Sequence, residues 1–360
     1  MNRTAKSADR VYCVDLAKNK FQVHTFSACG ERIAARTYTR SKFDAFFADP
    51  AKAGALVVME ACASSQYWAR LLVSRGFRVK LVPAQFVARQ RHGNKTDGND
   101  ADAIFAVHRD PRVHPVPVKS LEQQDLCAIH RAREMLVKHR TAYINQVRGL
   151  LAERGCIAAK GDRGFTGLLM RILSEPPAEV TAGLIDTLQV VAEQIGALEA
   201  SIAALDAHLK AVGEHSPIAQ RLDGIFGVGP ITATALLGEY GHSVARFADA
   251  RQFAASIGIT PSERSSGEKR RLGAITKRGN SYLRTLLVQC GQAVVNAAGR
   301  RDDAICGFAQ RLLAQGKHRN TVIIAVANRL ARIIYALLKH QTDYRPNPGR
   351  GDVCPSPAKA

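Results

Sequence analysis

The chain has 360 residues, enough for two or three domains, and 46% of them are apolar, which permits sizeable cores. Its 51 Lys and Arg outnumber 31 Asp and Glu, a formal charge of +20, so a polyanion is the expected partner. Nucleic acid is expected over a membrane, because the most apolar late stretch, Thr321 to Leu338, is interrupted by Asn328, Arg329 and Arg332. The eight cysteines show neither a C-x-x-C pair nor zinc spacing, the polar Met1 to Arg10 segment lacks the apolar core of a secretion signal, and no G-x-x-x-x-G-K-[ST] loop occurs. Those absences exclude a disulfide-built secreted protein, a zinc module and ATP-driven chemistry from the expectations.

Residues 11 to about 112 read as a mixed α/β unit. Val11 to Leu16, Phe21 to Phe26 and Arg32 to Tyr38 are three predicted strands, followed by a helix through Phe43, Phe46 and Phe47. Strand Leu56 to Glu60, helix Tyr67 to Ser74, strand Phe77 to Val82 and a turn-rich entry into a further helix complete the order. Asp15 sits near the end of the first strand and Glu60 closes the fourth, each behind an apolar run. A buried carboxylate at a strand end needs a cation or several donors to offset desolvation. Two such strands side by side leave two outcomes: both acids titrate high, or a hard metal ion sits between them.

Asp97 and Asp100 open the last helix three residues apart, on one helical face. They can close the far side of a cation cluster that acts on a phosphodiester. They can equally be caps and dipole partners of a helix N-terminus. Asp102 points elsewhere on the wheel and is expected in solvent. Three antiparallel strands followed by strand–helix alternation is the element order of the ribonuclease-H-like fold, whose acids sit on the first strand, the fourth strand and the last helix. Cys13 and Cys62 flank the acids and are read as small core residues.

After Pro115-Val116-Pro117, a long helix is predicted over Leu121 to Glu153, with one apolar stripe and an opposite face bearing Arg131, Arg133, Lys138, Arg140 and Arg148. These cations are either backbone contacts to nucleic acid or a solvated face. A second helix carries Leu184, Leu188, Val191, Ile195, Leu198, Ile202, Leu205, Leu209 and Val212 at spacings of three and four, a coiled-coil seam expected to contribute to oligomerisation. Beyond Pro217, Gly227 and Gly229 bracket Val228 before Pro230, a helix-hairpin-helix pattern whose free amides can meet a phosphate.

The segment Thr260 to Asn280 is a polar, glycine-punctuated loop with six cations, Arg264, Lys269, Arg270, Arg271, Lys277 and Arg278, ahead of a helix containing Arg284. Its serines are ordinary turn residues unless the guanidinium groups serve a hydroxyl attacking phosphorus, for which Ser266 is the candidate. No histidine with an aspartate partner lies nearby in sequence, so a hydrolase triad is not suggested. The Pro-, Gly- and Arg-rich tail is expected to be disordered.

Four stretches together resemble a known family: Asp15 through His24, Met59-Glu60-Ala61-Cys62, Gly93 through Ala101, and Ser265-Ser266-Gly267 through Arg284. They are similar to the DEDD transposases of the insertion-sequence one-ten group, closest to its eleven-eleven branch. The resemblance implies a bacterial, cytoplasmic, nucleoid-associated recombinase of mixed α/β plus α class. Its implied parts are a RuvC-like domain over residues 1–115, coiled-coil helices over 116–215, a mainly helical transposase domain over 216–342 and a disordered tail over 343–360. It further implies Mg²⁺ (or Mn²⁺) on Asp15, Glu60, Asp97 and Asp100, a phosphoserine intermediate on Ser266, donor and target DNA, a non-coding guide RNA from the element, and a homo-oligomer, dimer or tetramer, off the membrane. Cys13 stands where such proteins often have glycine, and Ser265 beside Ser266 leaves the nucleophile one residue open. Two other readings compete: a junction-resolving nuclease using water and the acids alone, and a transposon-derived binding protein without chemistry.

Overall fold

The computed structural model describes residues 10–90, 97–241, 244–265 and 271–347, with the side chains of 97 and 98 outside the description. Two compact units divide the chain, Met1–Leu121 and Glu122–Ala360.

The first unit is built on five strands: β1 (Val11–Leu16), β2 (Lys20–Phe26), β3 (Arg32–Thr39), β4 (Leu56–Glu60) and β5 (Arg78–Val82). They lie in the order β3-β2-β1-β4-β5. β1 pairs antiparallel with β2, and β2 with β3, while β1, β4 and β5 run parallel. This mixed sheet is the arrangement expected of a ribonuclease-H-like DEDD domain. The helices are α1 (Arg40–Phe47), α2 (Ser65–Ser74), α3 (Ala84–Gln90) and α4 (Asp97–Arg109).

Both faces of β1 and β4 are covered, which is why these strands read as unbroken apolar runs. Tyr12, Val14, Val57 and Met59 face a core with Phe43, Phe47 and Trp68. The rings there meet edge to face, Phe43 at 4.8 Å from Phe21 and 4.9 Å from Trp68, each pair adding about 0.5–1.5 kcal/mol to its burial. Cys13 and Val58 face the other way, under Ala103, Ile104 and Val107 of α4. The acids at the strand ends share that second face with Cys13 and Val58 by the two-residue period of a strand.

Among the described residues the second unit is helical apart from a two-stranded ribbon. It comprises α5 (Leu121–Ala152), α6 (Asp162–Ser174), α7 (Ala182–Glu214), α8 (Pro217–Asp223), α9 (Pro230–Tyr240), α10 (Ala250–Ile257), β6 (Pro261–Glu263), β7 (Leu272–Ile275), α11 (Ser281–Ala297), α12 (Ala304–Ala314) and α13 (Arg319–His340). Leu188 and Ile195 of the α7 stripe pack with Ile144, Val147 and Leu151 of α5 and with Phe165 and Ile172 of α6. Leu209 joins Leu126 in the C-terminal core. Both ends of the stripe are therefore filled from within the chain.

Two helices depart from the expectation that no segment has membrane-spanning character: α7 and α13 are long and apolar enough by length and composition. The interruptions at Asn328, Arg329 and Arg332 do not remove α13 from that class. Its Val322, Val326, Leu330 and Ile334 are fully buried in the C-terminal core, which accounts for the apolarity, and the Arg329 guanidinium lies 4.6 Å from the Phe308 ring centre. The expected tail begins with contacts: the Tyr344 hydroxyl donates to Asp303 at 2.6 Å, and Ala304 N–H donates to Pro346 O at 2.8 Å. Its remainder, from residue 348, lies outside the described residues.

Candidate active site

Parallel β1 and β4 pair Val14 with Met59, so the next residues, Asp15 and Glu60, end neighbouring strands on the α4-covered face. Both are half-buried. The nearby Cys62 thiol is pushed up to about 11, by its burial first and then by the negative charges of Glu60 and Asp15. Both carboxylates therefore act on the same sulfur. Asp100, in the first turn of α4, is only 5% exposed, which sets it apart from a solvated dipole partner. α4 packs across β1, β2, β4 and β5. The backbone of Asp97 begins α4, and its side chain lies outside the described residues.

Asp15, Glu60 and Asp100 offer carboxylate oxygens only, a hard donor set suited to Mg²⁺ or Mn²⁺. Among the described residues, no group of three or more His, Cys, Asp or Glu side chains is placed to hold an ion. The fold thus sets Asp15 beside Glu60 and turns Asp100 inward, without a closed ligand trio among the side chains described.

Asp102 keeps 42% of its side chain exposed, in line with the expectation, and also finds two partners. Its Oδ1 accepts from His24 Nδ1 at 2.8 Å and its Oδ2 from Arg32 Nη1 at 2.9 Å. His24 and its neighbour Gln22 were passed over in the sequence, yet a signal was there. The hairpin pairs Asp15 with Gln22 and Cys13 with His24, so two polar residues fall on a face that is otherwise apolar at Phe26, Cys13 and Val58.

The ribbon β6–β7 organises what the sequence presents as plain loop. Ser262 Oγ donates to Ala274 O at 2.9 Å, and Arg264 N–H donates to Arg271 O at 2.9 Å. Ser265 closes the neck: its hydroxyl donates to Glu263 Oε1 at 2.7 Å and accepts from Arg271 N–H at 3.2 Å. Ser266, Lys269 and Arg270 lie outside the described residues.

After β7, Lys277 adopts φ +54° and Gly279 φ +79°, folding the chain tightly against the end of α10. Arg271, Lys277 and Arg278 are exposed, whereas Arg284 is turned inward. Its Nη1 donates to Ile257 O and Arg278 O, both at 3.0 Å, so this guanidinium ties the segment to α10. Asn280 caps α11 by accepting from Tyr282 and Leu283 N–H.

The cations of α5 are mostly committed as well. Arg133 pairs with Asp206, Arg140 with Asp162 and Glu199, and Lys138 with Glu134 one turn earlier. Arg148 donates to Gly161 O at 2.9 Å and lies over Phe165, while Arg131 is exposed. The pairs to Asp206 and Glu199 bind α5 to an antiparallel α7.

Gly227 takes φ +90°, and a Cβ there would meet Val294 Cγ2 at 2.8 Å, so this glycine is required by the approach of the hairpin to α11. Gly229 precedes α9 with nothing within 4 Å of a built Cβ, leaving the start of that helix open.

Comparison with known proteins closes the assignment. A family model for DEDD transposases of the IS110 kind matches residues 13–154, and one described as "Transposase IS116/IS110/IS902 family" matches residues 219–305. A Pseudomonas aeruginosa protein named "Probable family 20 transposase" is 41% identical over 92% of this chain and 98% of its own length. The Coxiella burnetii transposase for insertion sequence element IS1111A is 34% identical over 93% of this chain and 91% of its own. The Yersinia enterocolitica transposase for insertion sequence element IS1328 is 32% identical over 91% and 96%. With both halves matched in order and the likeness running nearly end to end, the chain belongs to the IS110/IS1111 family of insertion-sequence transposases.

Proposed function

We propose that the chain cuts and rejoins DNA with two sets of groups: the acids Asp15, Glu60, Asp97 and Asp100 on the first unit, and Ser266 on the second. The observation that carries this reading is the placement of Asp15 and Glu60 on adjacent parallel strand ends with Asp100 buried on the covering helix. Nothing in the packing of such apolar strands calls for two acids there. When bound, Mg²⁺ or Mn²⁺ supplies charge stabilisation to the phosphate oxygens. Asp15, Glu60, Asp97 and Asp100 would hold it.

Ser266 Oγ attacks phosphorus, forming an O–P bond while the bond to one deoxyribose oxygen breaks and that oxygen takes up a proton. A hydroxyl of the second strand reverses the step, rejoining DNA and freeing the serine. The phosphodiester energy is conserved, which agrees with the lack of a nucleotide phosphate loop. Ser265 is committed to the neck of the ribbon, which favours Ser266 as nucleophile. Exposed Arg271, Lys277 and Arg278 stand on the same segment to neutralise the phosphate.

The glycine hairpin at Gly227 and Gly229 is read as a helix-hairpin-helix grip on a DNA backbone, and the α5–α7 pair as a coiled coil serving a dimer or tetramer. A non-coding RNA guides the choice of donor and target, a part of the reading supported by the resemblance and by the +20 charge. Residues 1–115, 116–215 and 216–342 would be the corresponding functional domains.

The test incubates the full chain with its element's RNA, Mg²⁺ and labelled donor and target DNA, and resolves products under denaturing conditions. A protein–DNA adduct is expected that Ser266→Ala abolishes, and strand cleavage is expected to vanish in Asp15→Ala. Wild-type cleavage by Ser266→Ala would replace this reading with that of a nuclease using water.

A further inference from the structure

His24 is a buried imidazole, 2% exposed, on the α4-facing side of β2. A polar ring in that position must find partners on both nitrogens. It does so through a chain of side chains that begins beside Asp15. Gln22 is the cross-strand partner of Asp15. Thr37 Oγ1 donates to Gln22 Oε1, which turns the Gln22 amide nitrogen towards His24 Nε2 at 3.2 Å. An amide nitrogen only donates, so Nε2 accepts, and the ring proton sits on Nδ1 and is donated to Asp102 Oδ1. Arg32 holds the other oxygen of Asp102.

The chain therefore runs from the strand neighbour of Asp15 to the helix that carries Asp100. One turn along α4, Phe105 stacks flat on Phe26 with ring centres 3.9 Å apart and planes 10° from parallel. Asp102 and Phe105 on one turn of α4, set against His24 and Phe26 on one face of β2, fix both the rotation of the helix and its slide along the strand.

We propose that His24 and Asp102 are positioning residues for metal binding: their hydrogen bond sets the rotation of α4, and with it the place of Asp100 relative to Asp15. This rests on the reading of Asp15, Glu60, Asp97 and Asp100 as metal ligands. The geometry explains why so small a contact matters. A side-chain tip about 5–6 Å from a helix axis moves roughly 0.5 Å for each 5° of rotation. Metal–oxygen distances tolerate only about ±0.2 Å. The Phe105–Phe26 stack alone is a slab that permits sliding in its own plane. The directed bond from His24 removes that freedom. Asp102 stands two residues from Asp100, about 200° away around the helix, so the two side chains leave nearly opposite sides of α4 and the bond to His24 does not compete with Asp100 for its place.

The test measures Mn²⁺ binding to the full-length protein by titration calorimetry and by loss of the free-ion electron paramagnetic resonance signal, alongside the melting temperature. The variants are His24→Leu, Asp102→Ala, His24→Asn, Asp15→Ala and Phe47→Leu. His24→Leu and Asp102→Ala are expected to weaken Mn²⁺ binding by about ten-fold or more. His24→Asn, which keeps a donor near the position of Nδ1, is expected to restore it to within about three-fold. Phe47→Leu, a core change remote from the clamp, is expected to lower the melting temperature and leave Mn²⁺ affinity unchanged. If Asp15→Ala abolishes binding while His24→Leu and Asp102→Ala bind as wild type does, the clamp is overturned and the metal site stands. If Phe47→Leu loses Mn²⁺ as His24→Leu does, the effect is general destabilisation and the clamp is overturned. If wild type and Asp15→Ala bind Mn²⁺ alike, or neither binds it, the ligand reading falls and the clamp with it.

Discussion

Acidification should unlock the second unit at one imidazole. His130 on α5 is 5% exposed, with Nε2 3.1 Å from Thr234 Oγ1 and Nδ1 3.0 Å from the Tyr282 hydroxyl. Thr234 spends its proton on Pro230 O at 2.7 Å, so it accepts from Nε2–H, and Nδ1 then accepts from Tyr282. Both contacts suit the neutral ring, and a second ring proton would face the tyrosine. His130 is accordingly lowered to about 4, by burial first and then by the Arg133 charge, with Asp206 acting weakly the other way. Unfolded, the ring takes its proton below its ordinary 6.5; folded, below about 4. The unfolded state thus binds more protons between those limits. Stability is full above pH 6.5, falls as pH is lowered, and reaches its whole loss near pH 4. At 1.36 kcal/mol per pH unit the loss is about 3 kcal/mol.

Urea titrations at pH 7.5, 6.0, 5.0 and 4.5 on wild type and His130→Gln, followed by helical circular dichroism, check this. The wild type should lose about 3 kcal/mol more than the variant across that range. The single tryptophan, Trp68, lies in the first unit, and its fluorescence transition should be unaffected by the substitution. Parallel pH slopes for the two proteins would refute the assignment of a neutral, destabilising-when-charged His130.

Two further outcomes follow from the segment behind the serine ribbon. Gly279→Ala forces a Cβ to 1.8 Å from Ser256 O at φ +79°, and should destabilise by about 3 kcal/mol or more in thermal melts. Gly54→Ala, at φ +83° with nothing within 4 Å, isolates the left-handed strain alone at about 1–2 kcal/mol; equal effects would discount the steric argument. Arg284→Ala should cost about 1–3 kcal/mol by stranding the Ile257 and Arg278 carbonyls, while the salt slope of DNA binding stays as in wild type. A slope reduced by about one would instead return Arg284 to the phosphate contacts.

Local periodicity made the scaffold legible. Val11–Leu16 and Leu56–Glu60 coincide with observed strands, and the 33-residue α7 lies where the three-and-four spacing put a helix. β-branched runs and stripe spacing are local properties, readable without knowing the fold. The acids at strand ends were legible for the same reason, since a charge closing an apolar run is conspicuous. What a cation or a histidine does was not legible, because it depends on partners far away along the chain. The partners of Asp102 came into view only with α4 laid beside His24, 78 residues earlier. The hold of Arg284 on Ile257 O, 27 residues back, was hidden in the same way. The ribbon at Pro261–Glu263 is too short and polar for a strand pattern to register.

The order of strands also governs how copies of this protein can meet. β5 is shielded in part, through an antiparallel bridge from Val116 to Leu81, but among the described residues no strand covers the outer side of β3. Open hydrogen-bonding groups along such a margin invite a neighbour to add its own strand, the route to aggregation. Here the margin carries the exposed Arg36, with Arg32 two repeats of the pleat away already paired with Asp102, so a second copy approaching along it meets a charged strand. Charge at that rim disfavours the addition of a sixth strand from outside.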